Sequence, residues 1–283
     1  MSWRERVQGR GSFLAAGSGG RMVLLGAPLD QTTSFRPGAR FAPERIREVS
    51  DALEEYSPVL DRGLDEIDFE DLGDLVLPFG DLKESLERIE EAAADLARQG
   101  RVPLALGGEH LISLPILRGM KRYHPDLVFL QFDAHADLRD EYLGQADSHA
   151  TVVRRIVELI GGERVYQFGI RSGTREEFAF GRANTRFFPG GVDSLEAVLG
   201  ELAGRPLYLS IDIDVVDPAF APGTGTPEAG GIGSLELFAA LYALKDMRLV
   251  GMDIVEVCPP ADPGDITSLL AAKLVREALL LWG

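Results

Sequence analysis

Six short runs rich in Val, Ile, Leu and Phe, at 22–26, 102–106, 127–132, 165–169, 207–211 and 249–257, punctuate the 283-residue chain, and stretches of helical periodicity fall between them. Buried parallel strands read as near-continuous apolar runs, and parallel strands need helical crossovers. The alternation therefore predicts an α/β fold of three layers, αβα, with a mostly parallel central sheet. Helices are expected at 43–56, 149–160, 194–202, 234–244 and 266–281. Another follows Asp81, where Glu84 completes a capping box, Leu82, Leu86, Ile89, Ala93 and Leu96 share one face, and Gly100 ends the run. Residues 1–20, with Gly9, Gly11, Gly17, Gly19 and Gly20, read as an irregular extension to a single domain over 21–283.

The lone cysteine, Cys258, excludes an intramolecular disulfide and a cysteine-based zinc site. With no apolar run near the ~20 residues of a membrane span, a cytoplasmic protein is expected. A net charge of −16 argues against nucleic-acid and membrane partners and suits small cationic ligands.

In open parallel sheets, ligands bind beyond the carboxyl ends of the strands. Unusual polar residues follow the apolar runs here with that regularity: Gly107-Gly108-Glu109-His110 after one, Asp133-Ala134-His135-Ala136-Asp137 after the next, Asp212-Ile213-Asp214 after another, and Glu256 near the end of the last. If these segments stay extended, Asp133, His135 and Asp137 project to one side, and Asp212 and Asp214 repeat the device. Taken singly, a strand-end aspartate is an ordinary turn former. Together, four carboxylates in one cleft call for neutralisation, which two divalent cations would supply. His110, Asp133, His135, Asp137, Asp212 and Asp214 are too many ligands for one open zinc site and suit two cations sharing carboxylates. The oxygen-rich, thiolate-free set favours two manganese ions per chain.

These motifs, with the run 210–227 (Ser-Ile-Asp-Ile-Asp-Val-Val-Asp-Pro-Ala-Phe-Ala-Pro-Gly-Thr-Gly-Thr-Pro), resemble the ureohydrolase family of arginases and agmatinases. The resemblance extends from Gly26-Ala-Pro-Leu-Asp30 to Asp253-Ile-Val-Glu-Val257, and Ser34 to Arg40, Asp137-Leu-Arg-Asp-Glu141 and Ser148-His149-Ala150 are most like bacterial agmatinases. It implies an arginase-like fold and a homotrimer or homohexamer. It also implies one cation on His110, Asp133, Asp137 and Asp212 and another on Asp133, His135, Asp212 and Asp214, with Asp133 and Asp212 as bridges. His149 matches the family's proton-handling histidine, and Glu256 the carboxylate that grips the guanidinium. The implied reaction is hydrolysis of a guanidino compound to urea and an amine, with agmatine, yielding putrescine, the leading substrate. Arg139 stands where arginases carry a polar amide near the amino-acid end of arginine, which argues against arginine and keeps guanidinobutyrate open. Arginase or formimidoylglutamase activity, or a non-catalytic metal-binding protein of the same fold, are the remaining alternatives.

Overall fold

The computed structural model describes residues 2–283. Nine strands form one sheet: β1 (Val7–Gln8), β2 (Met22–Ala27), β5 (Phe69–Leu75), β6 (Val102–Gly107), β7 (Val128–Phe132), β8 (Val165–Ile170), β9 (Arg186–Pro189), β10 (Pro206–Asp212) and β11 (Arg248–Val255). A separate two-stranded ribbon joins β3 (Tyr56–Ser57) to β4 (Arg62–Gly63). The main sheet runs in the order β1-β5-β2-β6-β11-β10-β7-β8-β9, parallel throughout except for β1, which pairs antiparallel with β5.

Helices α1 (Ala42–Ser50), α2 (Leu82–Arg98), α3 (Ser113–Lys121), α4 (Val152–Ile160), α5 (Arg175–Asn184), α6 (Leu199–Leu202), α7 (Ser234–Ala243) and α8 (Ile266–Trp282) supply the outer layers. Two apolar clusters flank the sheet. One packs α1, α7 and α8 on strand residues such as Leu24, Leu104, Leu130 and Leu209, and the other packs α2, α3 and α4 on Val23, Ala105, Phe129 and Tyr208. Residues adjacent in sequence thus go to opposite clusters, as strand alternation requires. Half of the capping box expected at α2 forms: Glu84 N–H donates to Asp81 Oδ1 at 3.0 Å, while the Glu84 carboxylate turns to Arg88 Nε at 2.8 Å.

Three differences from the sequence expectation have local causes. Residues 2–20 are tied to the domain: β1 extends the sheet edge, while Trp3 and Phe13 are buried. The helix expected over 43–56 stops at Ser50, where the chain turns into the ribbon. Strands β5 and β9 and helices α3 and α5 lie outside the expected set. β5 carries Glu70, Asp71 and Asp74, and β9 is an edge strand of four residues, so neither reads as an apolar run.

The strand order positions the site. From β6 the chain passes over two positions to β7, and later returns to fill them with β10 and β11. The carboxyl ends of β6, β11, β10 and β7 are therefore neighbours where the order reverses, the place where open α/β sheets leave a crevice.

Candidate metal centre

Each of these four strands delivers part of one cluster. His110 opens the turn after β6, Asp133 follows β7 directly, Asp212 is the last residue of β10, and Glu256 follows β11. The sequence expectation of extended alternation does not describe how they converge. β7 ends at Phe132, and Asp137 sits at a left-handed φ of 52°, as Glu256 does at 63°. Asp214 lies in a 3-10 turn after β10, with its N–H donated to Asp212 Oδ1 at 2.9 Å. Tight turns aim these side chains, and the cluster's own hydrogen bonds hold the turns.

Two sets emerge, His110–Asp133–Asp212 and Asp133–His135–Asp214, in each of which one ligand atom per residue lies within 4.8 Å of the others. Asp133 belongs to both. His110 Nδ1 is 3.0 Å from Asp133 Oδ2, 3.2 Å from Asp137 Oδ2 and 3.4 Å from Asp212 Oδ2, and His135 Nδ1 is 3.0 Å from Asp214 Oδ2. All six candidate ligands therefore meet in one place.

The protons of this cluster are accounted for from outside it. Ser210 Oγ donates to Asp253 Oδ1 at 2.6 Å, so it accepts from His110 Nε2–H at 3.0 Å. That leaves the His110 Nδ1 lone pair facing the three aspartates, and neither Nδ1 nor Asp214 Oδ2, both buried, makes a hydrogen bond. Lone pairs converging without a proton between them fit a cation, and an imidazole fixed through its other nitrogen is the usual arrangement at a metal. Shared Asp133 makes the cluster a binuclear metal site.

Electrostatics without cations carry the same message. Burial, then the neighbouring Asp133, pushes the Asp137 carboxyl up to about 7, and burial with Asp214 and Asp133 beside it drives Asp212 well above the carboxylate range. The aspartates hold His110 and His135 far above the usual histidine value against the opposing effect of burial.

Beside the cluster opens a cavity of about 250 Å³, lined among others by His149, Glu256, Arg139, Tyr142, Glu177 and Ser34. Glu256 Oε1 accepts the His110 N–H at 2.7 Å, and burial pushes its carboxyl up to about 8. His149 begins the turn before α4 and stands edge-on to Tyr142 with ring centroids 5.7 Å apart, and burial draws its pKa down to about 4. Arg139 Nε is 3.5 Å from Glu177 Oε2, and its guanidinium lies 4.9 Å over the Tyr142 ring. Its carboxylate partner is thus Glu177, not Asp140, Glu141 or Asp147 of its own loop. Sequence reasoning passed over Glu177, which also closes a capping box with Thr174 at the start of α5. Nothing in its sequence surroundings marks Tyr142.

A His/Asp cluster with ligands for two metal ions, set at the strand-order reversal, defines a binuclear metalloprotein of the α/β class, and the profile of the Arginase family matches residues 20–281. The chain belongs to the arginase family. It is 50% identical to an agmatinase of Halalkalibacterium halodurans over 93% of this chain and 92% of that one. It is 38% identical to a guanidinobutyrase of Pseudomonas aeruginosa over 91% of this chain and 85% of the relative. The crystal structure of agmatine ureohydrolase of Thermoplasma volcanium superposes with a TM-score of 0.86 at 33% identity, covering 95% of this chain and 93% of that one.

Proposed function

We propose that this chain hydrolyses agmatine to urea and putrescine with two manganese ions held by His110, Asp133, His135, Asp137, Asp212 and Asp214. The observation that carries the reading is the His110–Asp133–Asp212 and Asp133–His135–Asp214 pair of ligand sets, buried but for His135, opening on a cavity that Glu256 and His149 line. Half-identity to an agmatinase supports the substrate.

Bound to these six residues, two divalent cations would supply Lewis acidity and lower a water's pKa toward neutrality, with Asp133, common to both ligand sets, and Asp212, by the resemblance, serving both. The chain's own groups then do the following. Glu256 spends Oε1 on the His110 N–H, which leaves Oε2 for charge-assisted hydrogen bonds from the guanidinium. Asp137, at the cavity wall, accepts a proton from the attacking water and aims its lone pair at the guanidinium carbon. As the bond from that carbon to the alkyl nitrogen breaks, the leaving amine needs a proton, and His149, whose side chain lines the cavity, takes up at Nε2 the proton that the water gave to Asp137 and passes it to the amine. Agmatine is cationic at both ends, and among the cavity residues Asp137, Glu177, Asp212 and Glu256 face one arginine, Arg139, which is engaged with Glu177.

Arg139 is also the observation that favours a second reading, in which it clamps the carboxylate of a guanidino acid such as 4-guanidinobutyrate. Urea release from agmatine, arginine, 4-guanidinobutyrate and formimidoylglutamate, measured with added manganese, separates the two. Agmatine should exceed arginine in kcat/KM by at least ~100-fold, the result of ~3 kcal/mol of differential transition-state binding. Arg139→Ala should leave agmatine turnover largely intact. A preference for the guanidino acid that Arg139→Ala abolishes would overturn the agmatine assignment and leave the hydrolytic mechanism standing. The resemblance further supports a trimer or hexamer, which native mass measurement tests. Among the described residues no helix is long and apolar enough to cross a membrane.

A further inference from the structure

Glu109 lies inside the Gly-Gly-Glu-His motif, is completely buried, and takes no part in the cluster that His110 joins. Its carboxylate is instead turned onto the loop that precedes α1. Oε2 accepts the backbone N–H groups of Gln31 at 2.9 Å and Thr32 at 2.8 Å, and Oε1 accepts the Thr32 hydroxyl at 2.8 Å. Gly108 makes the approach possible, because a Cβ there would meet Leu29 O at 1.8 Å. On its other side, Thr32 Oγ1 accepts the backbone N–H of His149 at 3.0 Å and lies 3.3 Å from His149 Nδ1. The opposite ring nitrogen, Nε2, is 3.2 Å from Ser34 Oγ at the cavity wall.

We propose that Glu109 and Thr32 are positioning residues that fix the tautomer of His149, putting its proton on Nδ1 and leaving Nε2 as the nitrogen that exchanges protons with the substrate. The proposal rests on the reading of His149 as the proton-handling group. A hydroxyl has one proton to give and two lone pairs to receive with. Thr32 gives its proton to Glu109, so toward His149 it only accepts: one lone pair takes the backbone N–H and the other takes Nδ1–H. The neutral ring then carries its lone pair on Nε2. The Tyr142 edge contact restricts the ring from the side. Arranged in this way, a chain of three residues reaching back to the motif next to a metal ligand sets which imidazole nitrogen meets the leaving amine.

The test is the His149 ring tautomer, read by long-range proton–nitrogen NMR on the full chain loaded with diamagnetic zinc, together with steady-state kinetics of the manganese form. Wild type should carry the proton on Nδ1. Thr32→Val keeps the shape and removes the hydroxyl, so the proton should redistribute toward Nε2 and kcat should fall about 10- to 100-fold with KM nearly unchanged, a part of the ~10²–10⁴ that a positioned acid–base group supplies. Thr32→Ser should restore both. Glu109→Gln is the sharper variant. With the amide oxygen kept on the two backbone N–H groups, its NH₂ faces Thr32 Oγ1, turns the hydroxyl round to donate to Nδ1, and should move the ring proton to Nε2 at unchanged metal content. A ring proton that stays on Nδ1 in Thr32→Val and Glu109→Gln overturns the proposal, as does failure of Thr32→Ser to restore kcat. His149→Ala separates this from the functional reading: wild-type turnover in that variant would remove His149 from the reaction, and with it the catalytic part of the proposal.

Discussion

Glu256 carries a carboxyl into a nearly buried position on the cavity wall, where only the His110 N–H and the cations the cluster would hold favour its charged form. Its proposed work depends on charge, not shape, so Glu256→Gln separates the two. The amide oxygen can keep the bond from His110 N–H, while the guanidinium loses an ionic partner. Hydrogen bonds to a charged group exceed neutral ones by ~1–1.5 kcal/mol, so kcat/KM should fall about 5- to 12-fold with metal content intact. A variant that keeps wild-type kcat/KM would take Glu256 out of substrate binding. At this scale the sequence displayed the carboxylates and imidazoles, because Asp133, His135, Asp137, Asp212 and Asp214 are chemically conspicuous between apolar residues. It did not display how they converge. Asp137 and Glu256 reach the cluster through positive φ, and no pattern of side chains announces that conformation. Residues that work through others, such as Ser210, Asp253 and Thr32, carry hydroxyl or carboxyl groups too common to stand out.

Elements carry a different kind of evidence. β5 and α1 are joined by Arg47, whose Nε is 2.8 Å from Asp71 Oδ2 and whose Nη1 is 2.6 Å from Asp74 Oδ1, with no part of the guanidinium exposed. Burial raises the Asp74 carboxyl and the facing arginine opposes it, so each charge is tolerable only because of the other. Arg47→Ala should therefore cost ~3–5 kcal/mol of stability by stranding two buried aspartates. A lower urea midpoint at unchanged slope is the expected record, and a midpoint at the wild-type value would mean that water replaces the guanidinium. The same triad explains why β5 was illegible. Its acids point to loop by composition, and the partners that let Asp71 sit in a buried strand, Arg47 and the N–H groups of Phe13 and Gly73, are not marked by any local pattern. The runs that became β2, β6, β7, β8, β10 and β11 were legible because parallel strands covered on both faces are apolar at nearly every position.

For the whole molecule, a metal site made chiefly of carboxylates ties stability to pH in opposite ways with and without cations. In the metal-free chain the carboxyls of Asp137, Asp212 and Glu256 titrate above the carboxylate range, and His110 and His135 titrate above the histidine range. A group whose folded pKa is raised contributes stability below its unfolded pKa and loses it as pH rises through the folded value. Asp133 and His149 are shifted down and act in the other direction, contributing as pH rises, so five groups oppose two. The folded metal-free chain consequently holds more protons than the unfolded one throughout pH 5 to 8: Asp137 and Glu256 release theirs near about 7 and about 8, while Asp212, His110 and His135 keep theirs. Its Tm should decline between pH 5 and pH 8. Divalent cations bind the deprotonated ligands and displace those protons, so their contribution grows as protons leave. Differential scanning calorimetry of chelated and manganese-loaded protein across this range should show the Tm gain on loading increasing with pH, with about two ions bound per chain at the upper end. A gain that is flat with pH, or greatest at pH 5, would mean that the cations do not take the place of protons on these carboxylates, and the binuclear ligand assignment would have to be redrawn.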